Sequence, residues 1–327
     1  MPEMQVAHEV FPIRGTFTIS RGSKTEAHVV VVTLRDGDTV ARGECLPYPR
    51  YDETVESVTA QIEAARADIE AGIDRQALLR RMPAGAARNA VDCALWDLEA
   101  KQTGKRAWEL AGVPEPRGVV TAYTLSLEPP AQMAEAARAA AARPLLKLKL
   151  AGDDMDIDRV AAVRQAAPDS RLIIDANEGW ASTDTARLLQ EMARLGVALV
   201  KQPLPASDDA ALADIERAVP VCADESCHTS DKFQRLVGRY DAINIKLDKT
   251  GGLTEALALA QAAEQAGLIR MVGCMLATSL SMAPALLLTG GAAFVDLDGP
   301  LWLARDRTPG LAYQGSVIQP MDAALWG

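Results

Sequence analysis

The sequence predicts an α/β protein in which a barrel of alternating strands and helices follows a smaller α+β domain. Apolar runs in the second half each end in polar or charged residues: PLLKLKL on Lys147 and Lys149, RLIIDAN on Asp175, ALVKQP on Lys201, VPVCADES on Asp224, AINIKLD on Lys246 and AAFVDLD on Asp296 and Asp298. From Lys149 these endings lie 26, 26, 23 and 22 residues apart as far as Lys246, then 52 to Asp298, with MVGCM at 271–275 between. That is the period of a strand, a helix and two loops, and a polar residue closing nearly every strand marks the working face of a (β/α)8 barrel. At 327 residues the chain exceeds such a barrel, of roughly 200 to 250 residues, by about a hundred.

In chain order, MQVAHEVFPI, AHVVVVTL and TVARGEC read as strands, the last two joined through Arg35-Asp36-Gly37-Asp38, whose Asp-Gly pair favours a tight hairpin. Two helices follow, ETVESVTAQIEAARADIEAG and AGAARNAVDCALWDLEAKQTG; in the second, Val91, Ala94, Leu95 and Leu98 share a face. Strands before helices indicate an α+β domain over 1–112, and the prolines of GVPEPRG at 112–118 mark the crossing into the barrel, 113–305. Within the barrel, Ser182 or Thr183, Ser207 and Thr254 are expected to N-cap the helices that follow them. A doubly wound open sheet shows the same alternation, but gathers its ligand residues at one switch point and often a Gly-rich turn, and no GxGxxG occurs. Residues 306–327 break the period and are expected to pack back on the first domain.

A hydrophobic content of 49% and a charged content of 24% suit a soluble protein with a sizeable core. A net charge of -10 without a run of Lys or Arg argues against nucleic acid or an anionic membrane surface, so a small-molecule partner is expected. Cys45, Cys93, Cys222, Cys227 and Cys274 form no CxxC pair and read as reduced thiols. The start MPEMQVAHEV lacks the features of a signal peptide and no stretch approaches ~18 apolar residues, so the cytoplasm is the expected compartment. Homo-oligomerisation is left open.

Lys147 and Lys149 stand two apart on one strand and face the same side, where each ammonium disfavours the other's protonation and makes one a usable base. Lys246, four strands later, stands nearly opposite. Two lysines on opposite walls can take a proton from one face of a carbon and return one to the other, the geometry of a racemase or epimerase. The alternative for the pair is two strand-end lysines reaching solvent. Asp175 and Asp224 end strands two apart; converging carboxylates without His or Cys indicate Mg2+ or a similar ion rather than zinc, and that ion would bind a substrate carboxylate and neutralise an enediolate. Their alternative role is capping of the next helix.

In order and spacing, KLK, DAN, ADES and NIK resemble the muconate-lactonising subgroup of the enolase superfamily, and GECLPYPRY resembles its capping loop. The resemblance covers essentially the whole chain and implies a (β/α)7β TIM-like barrel with an N-terminal capping domain completed by the C-terminal segment. Within the subgroup, the DLD of Asp296 and Asp298, PAGAARNAVDCALWDL, CADESCH and NIKLDKTGGLTEALALA resemble dipeptide epimerases of the L-Ala-D/L-Glu type, with cell-wall peptide recycling as the implied setting. It implies Lys149 and Lys246 as bases, Asp175 and Asp224 as metal ligands, and Thr124, Lys147 and Cys274 in contact with substrate. Asp296 and Asp298, two apart on one face, need a cation between them, and a dipeptide's free ammonium serves; a salt bridge with Arg305 or Arg307 is the alternative. Arg21 or Lys24 in GTFTISRGSKTE is expected to meet a distal carboxylate, against the plainer reading of solvated loop charges.

One position departs from the pattern. Where the family has EQP with a third metal-binding carboxylate, this chain has Lys201-Gln202-Pro203. Unit charges ~4 Å apart interact by about 4 kcal/mol at an effective dielectric of 20, and against a divalent ion the repulsion is roughly double. Lys201 is therefore expected to weaken metal binding, its ammonium taking part of the ion's place between Asp175 and Asp224; the alternative is that it swings aside and metal binds once a substrate carboxylate joins. Three functions stay open: a dipeptide epimerase, another subgroup reaction such as N-acylamino acid racemisation, and a non-catalytic barrel that binds an anionic ligand.

Overall fold

All 327 residues are described in this computed structural model. An antiparallel sheet of β1 (Glu3–Ile19), β2 (Gly22–Asp36) and β3 (Thr39–Cys45) opens the chain, and Asp36 pairs with Thr39 across the expected hairpin. Short helices at Val55–Ala64, Arg66–Glu70 and Arg75–Arg81 and a long one at Ala86–Thr103 cover it. The first predicted helix is thus divided at Ala65. Gly43 on β3 lies so close to the long helix that an added Cβ would stand 2.0 Å from the Ala90 carbonyl oxygen.

Beyond β4 (Val119–Val120), eight parallel strands follow in sequence order: β5 (Tyr123–Leu125), β6 (Leu145–Lys149), β7 (Arg171–Asp175), β8 (Val197–Lys201), β9 (Val221–Ala223), β10 (Ala242–Ile245), β11 (Ile269–Gly273) and β12 (Phe294–Asp296). The Ala122 amide donates to the Val295 carbonyl at 2.7 Å, bringing the last strand round to the first. Inside the barrel, Ala122, Leu145, Ile173, Leu199, Cys222, Ala242, Met271 and Phe294 form an apolar floor, one residue from each strand or its entry. Because strand side chains alternate, the inward position two residues further on is also fixed. That position holds Thr124, Lys147, Asp175, Lys201, Asp224, Asn244, Gly273 and Asp296, so one parity rule sets both the apolar floor and the polar layer above it.

Helices fill most connections, but not all those predicted. The segment after Ser207 forms only a 3-10 turn, Asp209–Ala213. Its polar groups are engaged elsewhere: Asp209 accepts from Arg239 and the Tyr240 hydroxyl, and Arg217 pairs with Asp241 at 3.0 Å. Ser182 is the first helical residue rather than the cap, which falls on Ala181. Thr254 lies inside the first turn of Leu253–Gln265, and both its amide and its hydroxyl donate to Asp92, at 2.9 and 2.6 Å. That helix is capped from the other domain.

Further contacts join the two parts. Asp248 accepts from the Leu46 amide and from Asn89, while Glu44 accepts from the Thr278 amide and hydroxyl and pairs with Arg307. At the C-terminus, β13 (Tyr313–Gln314) pairs with β14 (Val317–Ile318), which in turn pairs with β4. Trp326 donates to the Cys93 carbonyl, and the Gly327 amide donates to Asp97. The last residues thus lie on the long helix of the capping domain. No helix is long and apolar enough to cross a membrane.

Removing the Asp92 carboxylate leaves two buried donors of Thr254 unpaired and the helix uncapped. Asp92→Ala should lower stability by about 1–3 kcal/mol, read as a lower denaturant midpoint with an unchanged slope.

Candidate active site

A cavity of about 370 Å³ lies between the polar layer of the barrel and the β1–β2 hairpin and Tyr48–Tyr51 segment of the capping domain. Thr124, Lys147, Lys149, Lys246, Cys274, Asp296, Asp298, Arg21 and Lys24 all line it, so the structure gathers every expected catalytic and substrate-contacting residue in one place. Asp175, Lys201 and Asp224 lie beneath its floor and are almost wholly buried.

Lys147 and Lys149 do not reach solvent; they are 5% and 7% exposed. Their environments differ. Lys147 pairs with Asp296, and although burial works against its charge, Asp296 and then Asp175 raise its pKa. Lys149 donates to Asp175 at 2.5 Å, but burial dominates there, assisted by Lys147, Lys201 and Lys246, and lowers its pKa to about 7. Only one of the pair is therefore poised as a base. Across the barrel, Lys246 stands 2.9 Å from Asp224.

Asp175 and Asp224 cap no helix. Lys201 lies between them, its Nζ 2.7 Å from Asp175 Oδ2 and also paired with Asp224 Oδ2. Lys249 donates to Asp224 Oδ1 at 2.6 Å and Asn244 donates to the same oxygen at 3.1 Å. Burial disfavours both carboxylates as anions, yet Lys149 and Lys201 hold Asp175, and Lys201 and Lys246 hold Asp224, below the usual carboxylate range. Burial likewise opposes charge on Lys201, but Asp175 and Asp224 raise its pKa well above normal. No three His, Cys, Asp or Glu residues converge to hold a metal ion. A hard divalent cation requires several oxygen ligands, whereas here the two facing oxygens receive ammonium groups, so these residues do not fit the expected Mg2+.

The Asp296 and Asp298 pair is not a rim salt bridge, because Arg307 engages Glu44 and Glu9, and Arg305 reaches the Val10 carbonyl. Asp298 accepts from the Thr124 amide at 2.7 Å, and Asp296 Oδ1 is buried without a partner. Burial, then Asp296, push Asp298 up to about 6. Burial also pushes the Cys274 thiol up, leaving it protonated beside these carboxylates.

Of the two loop cations, Arg21 is already engaged, donating to Glu225 at 2.8 Å and to the Asn177 carbonyl at 3.2 Å. Arg50 clasps Glu178 through two bonds of 2.8 Å. Lys24 has no carboxylate partner and lies 5.2 Å from the centre of the Tyr48 ring, the free cation of this wall. Asn244, Lys249 and Glu225 complete the site without having been anticipated. Asn244 was accessible from strand parity, being two residues before Lys246; Lys249 lies on a helical turn beyond the strand, where parity no longer applies.

Residues 1–112 match the N-terminal domain of mandelate racemase and muconate lactonizing enzyme, and residues 131–319 match the enolase C-terminal domain-like family. The chain belongs to this branch of the enolase superfamily. It is 48% identical over 315 residues to the L-Ala-D/L-Glu epimerase of Escherichia coli K12, covering 96% of this chain and 98% of that one. It is 43% identical over 301 residues to the N-acetyl-D-glutamate racemase of a Pseudoalteromonas species, covering 91% and 95%. Among solved structures, an enolase family member from Agrobacterium tumefaciens with homology to dipeptide epimerases, containing bound sodium and L-Ala-L-Glu with an ordered loop, superposes with a TM-score of 0.97 at 55% identity over the full length of both chains. A dipeptide epimerase from Enterococcus faecalis V583, complexed with Mg and L-Leu-L-Tyr, gives 0.90 at 28% identity, over 98% and 97%.

Because the neutral fraction of a lysine sets its nucleophilicity, an acylating reagent near neutral pH should label Lys149 ahead of Lys147. Peptide mass spectrometry reads the order, and a faster Lys147 would refute the division of roles.

Proposed function

We propose that the chain epimerises the α-carbon of the C-terminal residue of a dipeptide of the L-Ala-D/L-Glu type, by proton transfer between two lysines. The observation that carries this reading is the pairing of opposed lysines with an unpartnered carboxylate oxygen in one cavity. Lys149 and Lys246 stand on opposite walls, and Asp296 Oδ1 beside Asp298 offers negative charge to a substrate ammonium. Lys147 already offsets one carboxylate of the pair, so a single substrate charge completes the match.

In this mechanism the Asp296–Asp298 end holds the ammonium of the first residue, and Lys24 meets the distal carboxylate of the second. Neutral Lys149 or Lys246 removes the α-proton, while the opposite ammonium delivers a proton to the other face. The lysine-rich floor offsets the negative charge that develops on the substrate carboxylate. Lys147, Thr124 and Cys274 shape the wall around the reacting carbon.

The second reading, racemisation of an N-acylamino acid, is favoured by the similarity to the Pseudoalteromonas racemase. Its substrate has an amide N–H in place of the ammonium and leaves Asp298 without a counter-charge.

Incubation with L-Ala-L-Glu in deuterium oxide should produce the D-Glu epimer with deuterium at that α-carbon; silence across a dipeptide library would refute the proposal. The rate should rise as the pH passes about 7, where Lys149 becomes neutral, and ammonium binding should weaken as the pH falls through about 6, where Asp298 gains a proton. Asp298→Asn should raise KM for the dipeptide roughly 10- to 100-fold and leave binding of an N-acylamino acid nearly unchanged. Equal losses on both substrates would remove the ammonium assignment.

A further inference from the structure

We infer that the Lys201 ammonium is the built-in cation of this site, and that the chain organises its carboxylates and bases without a divalent metal ion. The side chain leaves the end of β8 and lies between carboxylates from the two flanking strands, 2.7 Å from Asp175 Oδ2 and paired with Asp224 Oδ2. Those same oxygens receive Lys149 at 2.5 Å and Lys246 at 2.9 Å. The result is an unbroken row of alternating charge, Lys149–Asp175–Lys201–Asp224–Lys246, with a lysine base at each end and Lys201 at its midpoint.

Charge supports the same conclusion. A lysine in place of a carboxylate raises the charge of a site by two, which is the charge a divalent ion brings. The row is therefore already supplied with what a metal would add, and an ion entering beside Lys201 would meet an ammonium where it needs an oxygen. Space supports it as well, since Lys201 is 2% exposed and Lys249 and Asn244 occupy the other oxygen of Asp224.

Lys201 is a positioning residue. It lies beneath the cavity floor and acts on substrate through Lys149, Lys246 and the field of the row. In turnover, one terminal lysine gains the α-proton and the other gives one up, so the row keeps its total charge while Lys201 keeps its own. This use of the row rests on the proposed proton transfer; the exclusion of metal does not.

Mn2+ binding followed by electron paramagnetic resonance tests the exclusion directly, on the native chain, Lys201→Glu and Lys201→Gln, each checked for folding by circular dichroism. Lys201→Glu would place three carboxylates at the ends of β7, β8 and β9 and should bind Mn2+ roughly 100-fold more tightly than the native chain, with Lys201→Gln between them. Tight stoichiometric binding by the native chain, or equal binding by all three, would overturn the inference. A second arm follows deuterium exchange at the dipeptide α-carbon after exhaustive chelation. An unchanged native rate supports a built-in cation, and a rate lost on chelation and restored by Mg2+ overturns it. If no exchange occurs under any condition, the epimerase reading fails and the Mn2+ comparison alone decides the role of Lys201.

Discussion

The Lys201 ammonium between Asp175 and Asp224 is the contact on which the rest of the site depends. Charges this deeply buried are tolerated only when each meets an opposite partner, and none of the three could stand alone in the barrel. Lys149 and Lys246 attach to the outer ends of the row, which orients both across the cavity while burial lowers the pKa of Lys149. Lys249, fully buried behind Asp224, provides a further restraint and leaves that carboxylate no freedom to turn away.

The same logic joins the two domains. Asp92, Asp248 and Glu44 are buried carboxylates that accept from groups on the other domain or on the loops that lead into it. Removing any one leaves donors unsatisfied in a buried interface, which favours a single well-defined arrangement. That arrangement matters for chemistry because the capping domain supplies the other wall of the cavity. Arg21 and Arg50 tie its loops to Glu225 and Glu178 on the barrel, leaving Lys24 as the cation without a partner. Contacts between the two domains therefore also set the shape of the cavity.

Much of the site was legible from strand ends because β-structure makes side-chain direction a matter of counting. Once the apolar runs are placed, parity sends Lys147, Lys149, Asp175, Lys201, Asp224 and Asp296 inward, and the period brings them to one end of the barrel. Helix limits were less legible. The segment after Ser207 has a helical pattern, yet Asp209 and Arg217 form tertiary bonds, to Tyr240 and Asp241, that compete with a regular helix. The cap for the helix beginning at Leu253 comes from Asp92, 162 residues away in the chain, and no local pattern contains that information.

The sequence by itself determined the alternation of strands and helices, the inward set of lysines and aspartates, and the presence of a lysine where a third carboxylate is expected. Only the tertiary structure decided how those charges divide among themselves. Lys147 goes to Asp296 and is held protonated, Lys149 is left poised near neutrality, Arg21 is engaged and Lys24 is free. The reason is physical: spacing fixes direction along a strand, whereas the partner of a buried charge, and so its protonation, is set by distances between strands and domains that the linear order does not specify.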